Sequence, residues 1–441
     1  MFGKNFSYSS KSEWPLIKSW LQGRMGSDPS VEGVVREILQ KVMESGDRAV
    51  VDYTRKFDCQ NFQAENLVLD PGKIRESLSL VSEQDLDIIR EAAGRIRDFH
   101  QLQNQKSWFI PDADGAVTGQ MVVPVQRAGL YVPGGQGGET PLISSLLMNA
   151  IPAQVAGVES LCVVSPPRPD KTLSPHILAT AHILGINEIY LCGSAWAIAA
   201  MAYGTETMPP VDIIAGPGNI FVTTAKRMLV GQVGIDMIAG PSEVAILADH
   251  TGRPDYMAMD LLSQAEHDPL AGTYLITTQE ELVQKTGQEL ERLTADLPRG
   301  DIARKAFRDW GASFLVSDLE KGFELCNLIA PEHFELCVED PWSCLGKIKN
   351  AGAVFMGSNT PEAVGDYFAG PNHVLPTLST ARFSQALSVH AFQKNISIVS
   401  TNRNYLDSHG SKIARLARLE GLEAHARSVE QRFDNTLSVK R

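Results

Sequence analysis

At 441 residues the chain exceeds what one simple hydrophobic core holds, so two or more domains are expected. Apolar residues at 43% and charged residues at 21% give an ordinary globular composition. A formal net charge of −12 excludes a sequence-independent nucleic-acid binder, which needs a basic face. Local binding of anions at helix N-termini stays open. The N-terminus lacks the apolar core of a secretory signal, and no stretch reaches the roughly 18 uncharged apolar residues of a membrane span. A cytoplasmic location without a membrane partner is therefore expected. Cys59, Cys162, Cys192, Cys326, Cys337 and Cys344 are scattered with no CxxC pair and read as reduced core thiols. Any metal must then be held by nitrogen and oxygen.

In chain order, residues 31–57 keep apolar positions at helical spacing, with a break at Ser45-Gly46, and 82–103 continue in that style. The first hundred residues read as mainly helical. From about 120 the texture changes: MVVPVQRAGLYVP, SSLLMNAIPAQVAG, LCVVSPP, PHILATAHILG and EIYLCG alternate short apolar runs with small-residue helices. That is the rhythm of a parallel sheet covered by helices. Strands are expected at 211–216 and 243–249. A second α/β round follows over 256–377, with a charged helix at 278–296, and the remainder from 387 reads as polar and helical. No internal repeat of fixed period is visible.

Three glycine turns stand at predicted strand ends: Tyr131-Val-Pro-Gly-Gly-Gln-Gly-Gly-Glu-Thr, Gly216-Pro-Gly-Asn219 and Gly240-Pro-Ser242-Glu243. None is GxGxxG or a P-loop, but together they suit a ligand crevice at the carboxyl edge of a sheet. Gln264 and His267, three apart on a predicted helix, project from one face and suit a shared ion, or equally a capping or surface pair. The adjacent Glu332 and His333 suit acid and base roles, or an ordinary solvated pair. Asp366 and His373 lie in Gly365-Asp-Tyr-Phe-Ala-Gly-Pro-Asn-His373, read as an ordered loop with ligand or structural use. Glu420 and His425 sit in a charged segment that would pass for surface.

Taken together, GLYVPGG, AIAAMAYGTET, VDIIAGPGNIFVTTAKR, IDMIAGPSEV, DLLSQAEHDPLA, APEHFEL, GDYFAGPNHVLPT and LEGLEAHARSV closely resemble the histidinol dehydrogenase family. They occur in family order across roughly 120–430. The resemblance implies an α/β enzyme with two Rossmann-like parallel-sheet domains, a helical N-terminal region and a small C-terminal helical domain. It divides the chain into an N-terminal segment 1–24, a discontinuous α/β domain 25–128 with 245–386, an NAD-side domain 129–244, and a dimerisation tail 387–441. It implies two successive NAD-dependent oxidations of L-histidinol, through the aldehyde, to L-histidine. Gln264, His267, Asp366 and His425 fall on the family's zinc ligands, one ion per subunit, and Glu332 and His333 on its acid–base pair. Ser242 and Glu420, with His333 and the metal ligands, fall on substrate contacts, and Tyr131, Trp196 and Asn219 on NAD contacts. Glu420 and His425 are implied to reach the active site of a second subunit in a homodimer. One departure stands out. The family usually carries glutamine where this chain has Trp196, and an indole cannot replace both amide hydrogen bonds, though it can stack on a flat ring. The loop QGGET also looks longer than the common family form. A paralogue oxidising another polyol or amino alcohol is the alternative, and a non-catalytic binder on the same fold has no need of the acid–base pair.

Overall fold

The computed structural model describes residues 2–24, 29–134 and 141–433. The chain forms two units: a larger one running up to Gln103 and from Val125 to Phe392, and a smaller one from Asn104–Pro124 and the chain from Gln393 on.

Strands are numbered along the chain. They begin with β1 (Lys4–Tyr8), β2 (Trp108–Pro111), β3 (Val117–Pro124), β4 (Arg127–Tyr131) and β5 (Ser160–Ser165). Then come β6 (Ile189–Leu191), β7 (Ile213–Ala215), β8 (Gly234–Ile235), β9 (Glu243–Ala248) and β10 (Gly272–Thr277). The last are β11 (Gly311–Val316), β12 (His333–Cys337), β13 (Ala353–Met356) and β14 (Gln393–Ser400).

The larger unit holds two all-parallel sheets, ordered β1-β11-β10-β9-β12-β13 and β6-β5-β4-β7-β8. Counted from β9 and from β4, each contains the order 3-2-1-4-5, the doubly wound arrangement. Both central strands of the first sheet, EVAILA and GTYLIT, are buried along their whole length. Continuous apolar runs are what a strand covered on both faces requires. One apolar cluster, with Leu247, Tyr274, Phe314 and Phe334, fills one face, and another, with Ile246, Leu261, Leu275 and Phe307, the other. The second sheet shares its apolar core with the helix Pro29–Phe57, which packs on the helices Ser194–Tyr203 and Ile220–Leu229 and bends at Gly46, where φ is 50°. The expected break at Ser45-Gly46 is thus a kink inside one helical stretch.

Chain connection joins the two sheets at opposite edges. β8 leaves the second sheet at Ile235, and β9 enters the first at Glu243. The seven residues 236–242 between them span at most about 25 Å. The carboxyl edge of one sheet is therefore tethered to the amino edge of the other. This linker also fixes a turn: Asp236 accepts from the Gly216 N–H (2.8 Å) and pairs with the buried Lys226, which donates to the Gly216 carbonyl (3.0 Å). Both polar groups of one peptide position are held by a buried ion pair.

The smaller unit is an antiparallel sheet, β14-β3-β2, followed by helices Arg403–Leu419 and Glu423–Phe433. Asn402 caps the first helix by accepting from the Tyr405 N–H. Among the described residues, no helix is long and apolar enough to cross a membrane.

Candidate active site

Glu332 and His333, the expected acid–base pair, sit where β9 and β12 of the first sheet begin. His333 is the first residue of β12 and stands in register with Val244 of β9. Glu332 accepts from the Glu243 N–H (3.0 Å), so the start of β9 holds its carboxyl in place. Ser242 precedes β9, and its carbonyl accepts from Gly272 at the start of β10 (3.0 Å). Arg24 ties the same corner together: it donates to Glu243 (2.5 Å), Tyr274 and the carbonyls of Pro241, Ser242 and Leu270. The helix Pro254–Ala265 runs back from the end of β9 to this edge and delivers Gln264 in its last turn, with His267 just beyond.

Gln264, Glu332, His333 and Glu362 are each at most 5% exposed. The His333 Nδ1 faces two acceptors, the Glu243 carbonyl (3.2 Å) and Gln264 Oε1 (3.0 Å). A ring nitrogen between two acceptors carries the proton. The Nε2 is then a bare lone pair, and it is buried without a hydrogen-bond partner. Burial pushes the His333 pKa down to about 3, against the pull of the Glu243 carbonyl, with the charges of His373 and His267 adding to the fall. The ring is neutral at physiological pH and able to accept a proton at Nε2.

Acids crowd the same space. Burial pushes Glu332 up to about 8, opposed by its bonds from the Glu243 N–H and the Ser242 hydroxyl and reinforced by Glu243 and Asp366. Asp366 rises to about 7 by burial, and Glu362 lies well above the usual range from burial and the charges of Asp366 and Glu332. Glu335 and Asp260 hydrogen-bond to each other, and burial raises both. Among the described residues, His333 is the one basic group within 4.0 Å of Glu332 (3.9 Å) and Glu362 (3.7 Å). Glu362 Oε2 and His373 Nε2 are likewise buried without partners. Ligand atoms of His333, Glu362 and Asp366 lie within 4.8 Å of one another. Of these, the carboxylate oxygens of Glu362 and Asp366 are the donors free to meet a divalent cation, the His333 ring being committed at Nδ1 and left as a base at Nε2.

A second feature lies at the carboxyl edge of the other sheet. Tyr131 ends β4, and Gly216-Pro-Gly-Asn219 follows β7, so the two flank the point where strand order reverses. Gly216 has φ 125°, and a Cβ there would stand 2.1 Å from the Tyr131 carbonyl. Only glycine lets the two loops approach so closely. Asn219 caps the helix Ile220–Leu229 by accepting from the N–H groups of Phe221 and Val222. A helix N-terminus aimed at a reversal point is the arrangement that takes a dinucleotide's phosphates. Residues 135–140 of the glycine-rich run, including QGGET, lie outside the described residues.

A family model described as histidinol dehydrogenase matches residues 22–433. The chain belongs to the histidinol dehydrogenase family. Curated histidinol dehydrogenases of Oleidesulfovibrio alaskensis and Bacillus subtilis are similar to it: the first is 57% identical, covering 98% of this chain and 99% of that protein. The second is 48% identical, covering 90% and 92%. A crystal structure of histidinol dehydrogenase from Elizabethkingia anophelis superposes with a TM-score of 0.91 at 35% identity, covering 99% of both chains. Membership makes the chain an NAD-dependent dehydrogenase of amino-acid biosynthesis.

Gln264, Glu332 and His333 share one hydrogen-bonded corner with the segment Ser242-Glu243, and Asp366 belongs to the acid cluster beside them. Glu420 and His425 lie in the smaller unit, where they line a groove with Ile413, Leu416, Ala417 and Ala424. One expectation needs correction. Asp366 is in the helix Glu362–Tyr367 and not in a loop: the flanking glycines and prolines bound a short helix instead of excluding one. Trp196, 4% exposed, stacks on Tyr53 and Phe57 and donates its indole N–H to Thr54 (3.1 Å). Its side chain is spent on packing against the helix Pro29–Phe57, so an NAD contact through the indole would require that packing to open. Glu362 was missed by sequence reasoning, although its spacing of four from Asp366 puts both on one helix face.

Proposed function

We propose that the chain oxidises L-histidinol to L-histidine in two steps at one site, each passing hydride to NAD+. The observation that carries this reading is the unpartnered, proton-free Nε2 of His333 beside Glu332. His333 takes the proton of the substrate hydroxyl as hydride leaves the carbinol carbon. Glu332 then takes a proton from the water that adds to the aldehyde carbon, and the hydrate loses the second hydride. Gln264, His267, Asp366 and His425 would hold zinc, which when bound would supply an anchor for the substrate's imidazole and amine. Ser242 and Glu420 complete the substrate contacts. Tyr131 and Asn219 would hold the dinucleotide at the crevice they flank, and the short tether 236–242 keeps that edge of the sheet linked to the Ser242-Glu243 corner. We further propose that the NAD-side domain 129–244 is joined by the helical region 29–103, which shares its apolar core, while 245–386 with β1 forms the substrate-side domain, and we propose a cytoplasmic setting in keeping with six buried free thiols.

The exposed Leu416, Leu419 and Leu422 around the groove that holds Glu420 and His425 suit a homodimer in which these two residues serve a second subunit's site. Two measurements test the whole. Two NADH are expected per L-histidinol consumed, followed by absorbance against histidine formed, and a ratio of one would overturn the four-electron reading. Inactive Asp366→Ala and His425→Ala proteins are expected to regain part of the wild-type rate when their subunits are exchanged. Verified exchange without rescue would mean that each site is built from one chain.

A further inference from the structure

Asp58 is a carboxylate in an unfavourable place. It follows directly on the helix Pro29–Phe57, and the N–H groups of Asp58 and Cys59 both reach the Thr54 carbonyl (2.9 Å each). The end of a helix carries partial negative charge, which repels a carboxylate. Burial pushes the Asp58 pKa up to about 7, and its Oδ2 is buried without any hydrogen-bond partner. Asp170, the acid next along from the end of β5, is by contrast satisfied by Thr172, whose hydroxyl and N–H reach it at 2.5 and 3.1 Å.

The position of Asp58 gives the unmet carboxylate a meaning. A Cβ built on Gly193 would stand 3.5 Å from Asp58 Oδ2 and 2.8 Å from Pro166 Cβ. Pro166 follows β5, and Gly193 follows β6, so Asp58 lies at the carboxyl ends of the second and third strands of its sheet. Beside it, the Tyr131 hydroxyl accepts from the Ser194 N–H (3.1 Å), and Ser194 opens its helix at φ 49°, a left-handed conformation rare outside glycine. Backbone strain of this kind gathers at binding sites. In sheets of this strand order, the acid that receives the adenosine ribose stands at the end of the second strand. Here that strand runs into Pro166-Pro167 and offers no carboxylate.

We infer that Asp58, delivered from a helix outside the sheet, takes that place: it accepts the two ribose hydroxyls of the dinucleotide's adenosine half and thereby selects NAD over its 2′-phosphorylated counterpart. The inference rests on the crevice reading given above. A vicinal diol supplies the O–H donors that the stranded oxygen lacks, whereas a 2′-phosphate sets a second negative charge against it.

Dissociation constants for NAD+ and NADP+, measured by calorimetry on the full-length protein, test this. Asp58→Asn and Asp58→Ala are expected to weaken NAD+ about tenfold or more, as loss of charged hydrogen bonds does. The preference for NAD+ over NADP+ should shrink by a similar factor. The melting temperature should hold or rise, because a repelled charge leaves the helix end. Equal weakening of both nucleotides together with a lower melting temperature would make Asp58 a structural residue and overturn the inference. Asn219→Ala separates the two levels. If it weakens NAD+ while both Asp58 variants bind normally, the ribose contact is wrong and the crevice stands; if none of the three changes binding, the crevice itself is wrong.

Discussion

Removal of divalent metal with a chelator is expected to abolish NADH formation from histidinol, by a factor of roughly 1,000 or more, and added zinc to restore it. The reason lies in the charge balance of the acid–base corner. Glu332, Glu335, Glu362, Asp260 and Asp366 all have their pKa values raised, chiefly by burial. The histidines that face them are held neutral, His333 near 3 and His373 near 4. Arg24 is committed to Glu243, Tyr274 and backbone carbonyls. Buried carboxyls in such surroundings stay protonated unless a cation joins them. A bound dication would reverse that balance and supply a fixed anchor for the substrate. The melting temperature should fall with the metal, since an ion that binds the folded state stabilises it. Full activity in protein shown by elemental analysis to be metal-free would remove zinc from the reading.

Much of this was legible in the sequence, and the misses have physical causes. The alternation of apolar runs with small-residue helices announced parallel sheets, because strands buried on both faces carry no polar alternation. The run MVVPVQRAGLYVP, however, divides between two sheets: β3 pairs with β14 in the smaller unit, and β4 pairs with β5 in the five-stranded parallel sheet. Pro124 ends one ladder, and three residues later another begins. β1 was not foreseen, since KNFSY has no period and finds its partner, Gly311–Val316, some three hundred residues away. The helices of the C-terminal region were foreseen, but not β14, whose mixed sequence QKNISIVS becomes a strand through pairing with Val117–Pro124. The two sheets share one strand order, yet no repeat shows in the sequence. A buried strand and its helix fix only the apolar pattern, and many side chains satisfy it. The residues proposed for the site stand out by identity, because chemistry depends on residue type where packing depends only on the apolar pattern. Trp196 shows what position in a motif leaves out: its packing with Tyr53, Phe57 and Thr54 appears only in three dimensions.

Glu332→Gln is expected to divide the two oxidations. Glutamine keeps the size of the side chain and an oxygen to accept from the Glu243 N–H, so the corner should hold its shape. It cannot take a proton. Oxidation of histidinol to the aldehyde, in which His333 is the acceptor, should fall by less than about tenfold, whereas oxidation of histidinal should fall roughly 1,000-fold, within the range for loss of a general base. The pH profile gives the same answer independently. In the metal-free corner Glu332 titrates near 8, its carboxylate being the active form. The second half-reaction should therefore rise with pH through an acid limb at or below about 8, the bound cation drawing the value down. That limb should be missing in the variant, while the limb of the first half-reaction stays. Rapid-mixing measurements started from histidinol and from histidinal separate the halves. Equal losses in both, or an unchanged acid limb in the second, would move the water-activating role to another of the clustered acids, of which Glu362, with its unpartnered Oε2, is the nearest in kind.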